Sequence, residues 1–385
     1  MTLILDAVFS SIAYSHLIVD LLNGQRAVLL AYLSGPLGLS NASLALVSTI
    51  YIVSAALVGP LFGYLADRVG VRWVVAGGVL WMGAFFSLAL LTPGHLALVF
   101  LVFASLGSGA YHPAGTTQAT LSGRSLLSGK ETTASSYFFL FGQTGLFFGP
   151  LAGGPLLDAF GPAGLLFLVA PALPIGFIAA RNLAALPSPV RVPKLQRTQS
   201  NFKFRMVALP LIGFILLAAF QSWAQQNMVT FVPKYLSDLG QTASFYGLSS
   251  ALFMGGSAVG NVVGGMLADR YGRRRVAMGS LSLASIPLAL VPAAGLSPLL
   301  FGLLLSAGFF TGGVYSIIVV TAQRMVPGGM ATASGLILGF MFSSGAIGTY
   351  LSGHLADLFG FVPVFHLTAL IALAAGALTI VIPDR

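Results

Sequence analysis

Apolar residues in this chain come in long unbroken runs, and the polar positions between them are few and clustered. A run of about 20 such residues is the length that crosses a bilayer as a helix. The pattern predicts twelve helices, over residues 8–33, 43–66, 73–91, 95–121, 133–157, 162–181, 206–235, 243–268, 275–293, 297–325, 330–356 and 361–382. A membrane β-barrel would alternate apolar and polar positions in segments of about ten residues, and the runs here do not alternate. The longest polar stretch, 182–205, is rich in proline and basic residues and reads as a linker. It leaves a six-helix unit at 1–181 and another at 206–385. The expected fold class is an all-α membrane protein, twelve transmembrane helices in two pseudo-symmetric six-helix bundles. Residues 1–10 lack the basic region of a cleaved signal, so the first helix is expected to serve as an uncleaved insertion signal.

A repeat supports the division. GYLADRVG at 63–70, GPLLDAFG at 154–161, GMLADRYG at 265–272 and GHLADLFG at 353–360 align as G-x-x-x-D-x-x-G. Each copy follows the second helix of a three-helix set, so the chain reads as four three-helix units. The first and third copies carry arginines, Arg68 and Arg72, then Arg270, Arg273, Arg274 and Arg275. The second and fourth carry none. Successive three-helix units enter the membrane from opposite sides, so the two kinds of copy lie on opposite faces.

Composition agrees with a lipid solvent. The chain is 57% hydrophobic and 7% charged, against about 25% charged in soluble domains. Its net charge of +9 is a topology signal. With the N-terminus inside, every basic residue except Arg26 and Lys234 falls on the cytoplasmic side. The expected location is the cell membrane with both termini cytoplasmic. The basic linker is expected to touch anionic lipid heads, and a nucleic-acid partner is excluded. The chain has no cysteine, so a thiolate metal site is excluded too.

Intramembrane polar groups are costly and default to a functional reading. They concentrate on the first helix of each unit: His16, Asp20, Asn23, Gln25 and Arg26; Ser105, Ser108, Tyr111, His112 and Gln118; Gln221, Trp223, Gln225, Gln226 and Asn227; Thr311, Tyr315, Ser316 and Gln323. Four such helices would line one polar cavity between the halves. Asp20 is the acid placed deepest, with His16 one turn before it on the same face. A carboxyl in such a cavity could load and release a proton, so Asp20 and His16 are the candidate proton-coupling residues. The bland reading is a static pair of Asp20 with His16 or Arg26. Arg26, Tyr111, His112, Gln221, Gln225, Asn227 and Tyr315 are the candidate substrate-binding residues. Against this, a lone His112 is often a packing residue, and the Gln/Asn run is often interhelical glue. Glycines in GLFFGPLAGG at 145–154 and GGSAVGNVVGG at 255–265 predict close helix contacts. No nucleophile–base constellation, phosphate loop or run of metal ligands stands out, so neither an enzyme nor a metal or other cofactor is expected.

These residues carry a resemblance. GYLADRVGVR and GMLADRYGRRR resemble the signature loop of the major facilitator superfamily and its echo in the second half, and the likeness runs over essentially the full chain. In that family the matching acid caps a neighbouring helix and pairs with basic groups to hold the cytoplasmic gate shut. The resemblance therefore implies gating by Gly63, Asp67, Arg68 and Arg72, and by Gly265, Asp269, Arg270 and Arg273. Val71 stands where the first loop usually has a basic residue, with Arg72 beside it as a substitute. Gly145, Gly149, Pro150, Gly153 and Gly154 resemble the helix-5 motif of proton-driven exporters, with Ser136 where an upstream glycine is expected. SHLIVD, GSGAYHPAG and TFVPKYL resemble the fosmidomycin-resistance branch. That likeness implies a monomeric, proton-coupled efflux antiporter for a drug or anionic small molecule, working by alternating access among membrane lipids. A proton-coupled uptake symporter, a uniporter of the same fold and a non-transporting membrane receptor stay open as alternatives.

Overall fold

Each copy of the repeated loop is a helix stop. In a computed structural model, describing residues 2–127, 131–186, 208–325 and 330–382, the last glycine of every copy ends one helix and starts the next. Gly70, Gly161, Gly272 and Gly360 have φ of 96°, 62°, 94° and 79°. Only glycine adopts that region without strain. Each donates its N–H to the carbonyl four residues back, at Ala66, Leu157, Ala268 and Ala356. The chain then turns and a new helix begins within two residues.

After a single helical turn at Thr2–Leu5, the N-terminal half contains α1 (Ala7–Ser34), α2 (Asn41–Val69), α3 (Val71–Leu91), α4 (Leu96–Leu126), α5 (Glu131–Phe160) and α6 (Pro162–Ala185). The C-terminal half contains α7 (Ala208–Asp238), α8 (Ala243–Tyr271), α9 (Arg273–Leu290), α10 (299–325), α11 (Met330–Phe359) and α12 (Phe361–Leu378). Ten of these hold a window long and apolar enough to cross a membrane. The other two, α5 and α7, have 30 and 31 residues and complete the twelve. Most of the linker and the basic residues Lys130, Arg191, Lys194, Arg197, Lys203, Arg205 and Arg385 lie outside the described residues.

Two elements differ from the uniform helices expected. The sixth is a 3-10 turn at Pro162–Leu165, a short helix Leu166–Val169 and a longer one Ala172–Asn182. Pro171, which has no N–H to donate, sits at the break. The tenth divides into Leu299–Gly312 and Tyr315–Met325 at a turn through Gly313 and Val314. Adjacent glycines lower the cost of leaving the helical ladder there.

Packing inside the halves is equivalent. α1 lies on α5 and α2 on α4, as α7 lies on α11 and α8 on α10. The halves meet through α2 with α11 and α5 with α8. The glycine ridges make the closest contacts. A Cβ at Gly145 or Gly149 of α5 would stand 2.3 Å from a carbonyl oxygen of α1, that of Leu17 or Leu21. At Gly256, Gly260 and Gly264 of α8 it would stand 2.1, 1.9 and 2.1 Å from carbonyls of Leu305, Phe309 and Gly313. The nearest atoms are backbone, which cannot swing aside. Gly145→Ala is therefore expected to cost about 1–3 kcal/mol as an overpacking change. Gly302→Ala, where a Cβ meets nothing within 4 Å, is expected to be neutral or slightly stabilising. Thermal unfolding of the two variants in detergent checks this; equal midpoints would contradict the contact.

The surface is the inverse of a soluble protein's. Leu57, Phe167, Leu299 and Leu358 are more than half exposed. His16, Asp20, Gln25 and Arg26 are buried. The apolar exterior suits lipid, and the interior holds the polar side chains that need an explanation.

Candidate coupling and gating sites

The interior polar residues of the N-terminal half form one network. His16 and Asp20 are one turn apart on α1, and their Nε2 and Oδ2 atoms are 3.2 Å apart. His112 of α4 brings its Nε2 to 3.3 Å from the other carboxylate oxygen. Both imidazoles are anchored through the opposite nitrogen. Nδ1 of His16 donates to the Phe138 carbonyl at 2.8 Å, and Nδ1 of His112 donates to the Ser108 carbonyl at 2.8 Å. A carbonyl oxygen only accepts, so each Nδ1 carries the hydrogen. In the neutral rings both Nε2 lone pairs then face a carboxylate. Three acceptors converge, and the cluster balances only when it also holds positive charge.

Phe138 of α5 stacks on His16 with ring centroids 4.0 Å apart. Gly142, one turn on, opens the space for the cluster: a Cβ there would stand 2.5 Å from His16 Cε1 and 2.6 Å from Asp20 Oδ2. The cluster is not sealed, since the His112 side chain is 37% exposed while those of His16 and Asp20 are 3% and 12%.

The network continues along α1. Asn23 donates through Nδ2 to Asp20 Oδ1 and to Ser108 Oγ, both at 3.0 Å. The Tyr51 hydroxyl of α2 donates to Asn23 Oδ1 at 2.7 Å. The Arg26 guanidinium lies over the Tyr51 ring, 4.8 Å from its centroid. Arg26 is 4% exposed and makes one long bond, 3.4 Å, to the Ser48 carbonyl. Its Nε has no partner, and it forms no ion pair among the described residues. The pair expected of Asp20 with either His16 or Arg26 is thus formed with His16, and with His112 besides. Arg26 reaches Asp20 only through Tyr51 and Asn23.

His16, Asp20 and His112 are also the described group able to hold a metal ion, with ligand atoms within 4.8 Å of one another. No such cluster is visible along the chain, because His112 comes from another helix.

The C-terminal half contributes uncharged groups. Gln221 donates to the Thr311 carbonyl at 3.0 Å, Gln225 to Ser257 Oγ at 2.9 Å, and Asn227 to Ser352 Oγ and Thr368 Oγ1 at 3.0 and 2.9 Å. Gln221 and Asn227 are buried in these contacts, while Gln225 and Tyr315 are half-buried. Tyr111 is fully buried, its hydroxyl donating to the Ile12 carbonyl. Tyr111, Gln221 and Asn227 therefore sit inside packed interfaces. Lys234 pairs with Asp238 at the end of α7.

The repeated acids divide into two sets. Asp357, at the end of α11, accepts the N–H groups of Asn41 and Ala42 at 2.7 and 2.9 Å. Asp158, at the end of α5, accepts those of Ala243 and Ser244, both at 2.8 Å, and the Ser244 hydroxyl. Each carboxylate thus caps the first turn of a helix in the opposite half, where unpaired N–H groups and the helix dipole favour an anion. These are the copies without arginines. Asp67 and Asp269, in the arginine-bearing copies, are exposed and have no such partner among the described residues. Beside Asp67 a cavity of about 120 Å³ opens between Gly63, Ala66, Pro113 and Thr117. A Cβ at Gly265 would meet nothing within 4 Å. Arg68, Arg72 and Arg270 lie over the rings of Tyr64, Trp73 and Tyr271, and Arg273 begins α9. The halves are latched at one face and carry the same acids, unlatched, at the other.

Twelve membrane helices in two equivalent bundles, with a polar interior and latches between the halves, define a multi-pass membrane transporter. The family model described as Major Facilitator Superfamily matches residues 15–240 and 214–385. The chain belongs to the major facilitator superfamily, whose members are transporters and not enzymes. It is 26% identical over 387 residues to the fosmidomycin resistance protein of Escherichia coli (strain K12), covering 98% of this chain and 93% of that one. It is 25% identical over 335 residues to the multi-drug resistance efflux pump PmrA of Streptococcus pneumoniae, covering 84% and 81%. Among solved structures, the nucleoside transporter NupG superposes with a TM-score of 0.76 at 18% identity, covering 98% of this chain and 100% of that one.

Proposed function

We propose that this protein is a proton-coupled exporter of an anionic small molecule, an antiporter working by alternating access. The observation that carries the reading is the α1 network: three acceptors that need a proton, linked through Asn23 and Tyr51 to a buried Arg26 with no counter-ion among the described residues. A proton on the His16–Asp20–His112 cluster balances it. An anion beside Arg26 completes that guanidinium. Protons admitted from one face and substrate from the other would then exchange across the same helix. His112, Gln225 and Tyr315, the less buried candidates, face substrate alongside Arg26.

The gate follows from the repeat. The halves 1–181 and 206–385 rock about the α2–α11 and α5–α8 contacts, joined by the linker 182–205. Asp158 and Asp357 latch the outer face in this conformation. By the pseudo-symmetry, Asp67 and Asp269 take the corresponding positions at the first turns of α11 and α5 when the cytoplasmic face closes, with Gly63, Arg68, Arg72, Gly265, Arg270 and Arg273 around them. In this reading the arginine-bearing loops and both termini lie in the cytoplasm of a cell-membrane protein acting as a monomer. The efflux names of two relatives support the exporter reading.

Inside-out proteoliposomes test it. Anionic probes, fosmidomycin among them, are first ranked by the thermal stabilisation they confer. An acid lumen should then drive the best probe inward. Expulsion from the lumen would select a symporter, indifference to the gradient a uniporter, and no flux at all a receptor. Arg26→Gln is expected to weaken binding of the anionic probe about tenfold or more and to leave neutral ligands unaffected. Equal affinity in the variant would remove Arg26 from the site.

A further inference from the structure

Outside the transport pathway, the bilayer-facing side of the N-terminal half carries a groove of about 360 Å³ between α2, α3 and α4. Leu65 and Val69, Trp73, Gly77 and Trp81, and Leu106 line it, and its walls are almost wholly apolar. It starts at the arginine-bearing loop and runs inward. Trp73 and Trp81 are two turns apart on α3, about 12 Å at the helical rise. That reach takes the groove well into the hydrocarbon layer. The space beside Gly77 is open, and a Cβ there would meet nothing within 4 Å.

The mouth is basic. The Arg72 guanidinium lies 4.4 Å over the Trp73 ring, and its Nε is buried with no hydrogen-bond partner. Arg68 lies 4.9 Å over the exposed Tyr64 ring. Neither arginine makes an ion pair among the described residues. A buried guanidinium N–H without an acceptor is costly, and planar guanidinium groups favour phosphate oxygens.

We propose that this groove binds an anionic glycerophospholipid of the cytoplasmic leaflet, one acyl chain lying along Gly77 between Trp73 and Trp81 and the phosphate at Arg72 and Arg68. The apolar walls select a hydrocarbon chain, and the two arginines at the interface select a negatively charged head. A soluble phosphate would satisfy the arginines and leave the groove unfilled.

Tryptophan quenching tests this without any transport assay. The chain has 3 tryptophans, so Trp223→Phe leaves only Trp73 and Trp81, both in the groove. The variant is reconstituted in phosphatidylcholine bilayers containing a small fraction of lipid brominated on its acyl chain, either phosphatidylglycerol or phosphatidylcholine. Brominated phosphatidylglycerol is expected to quench at least about twofold more at equal mole fraction, and 0.5 M salt is expected to shrink the difference. Adding Arg68→Gln and Arg72→Gln should abolish the preference. Gly77→Leu, which fills the groove, should lower quenching by both lipids with the arginines intact. Equal quenching by the two lipids in the Trp223→Phe protein would overturn the site, as would a preference that survives the double arginine substitution.

Discussion

Asp20→Asn is expected to abolish flux driven by a pH gradient, a loss of about a hundredfold or more, while substrate exchange at equal pH continues. Intramembrane acids usually carry such a function because insertion scales charge about 2.5–3.5 kcal/mol for one at a helix centre. Here the reason lies in hydrogen-bond polarity. His16 and His112 both spend their Nδ1 hydrogens on backbone carbonyls, so their Nε2 atoms and the carboxylate are all acceptors in the unprotonated state. A proton is needed to join them. An asparagine supplies its own N–H donor to one Nε2 and is isosteric, so the variant should fold with an unchanged thermal midpoint. It needs no proton and therefore cannot load or release one in a transport cycle. Reconstituted protein with paired gradient-driven and equal-pH assays reads the split. Undiminished gradient-driven flux would remove Asp20 from the coupling step.

Replacing both latching acids, Asp158→Asn with Asp357→Asn, is expected to shift the conformational equilibrium about a hundredfold toward the state open at that face. Each carboxylate accepts two backbone N–H groups of a helix start in the other half. Charged hydrogen bonds of this kind are stronger than neutral ones, and the helix dipole adds to them. With allowance for their exposure, each latch is expected to contribute about tenfold. An amide still accepts one N–H but carries no charge. The absence of cysteine lets spin labels be placed singly. Labels at Pro36 and Leu239, which follow α1 and α7, report the separation of the halves at this face. A longer-distance population should grow in the double variant and to a lesser extent in either single one. An unchanged distance distribution would show that the latches do not hold this face.

The architecture was legible because membrane helices announce themselves locally. Apolar runs set the twelve helices, and the glycine ending each repeat is also what stops the helix in space, at positive φ. The i, i+4 relation of His16 and Asp20 was legible for the same reason. What joins them was not. His112 arrives from α4, Phe138 contributes a stacked ring and a backbone oxygen from α5, and Tyr51 is one of two tyrosines in α2 with nothing in the local pattern to single it out. Gly142 acts by what it lacks, and no spacing rule separates it from glycines that pack elsewhere. The breaks in α6 and α10 depend on Pro171 and on Gly312–Gly313, residues that other helices here accommodate without interruption. The repeat drew attention to the acids bearing arginines beside them. The latches seen here belong to the two bare copies: capping a helix N-terminus needs only the carboxylate, so the arginines do not mark it.

If protons and substrate exchange through the α1 network, anion binding must release protons. Purified protein in weakly buffered detergent solution is titrated with the anion that stabilises it best, and the pH change is followed with an indicator dye. About one proton is expected to be released per anion bound, with release lost in Asp20→Asn while binding at Arg26 remains. Saturable binding by the unaltered protein with no proton released at any pH would contradict it.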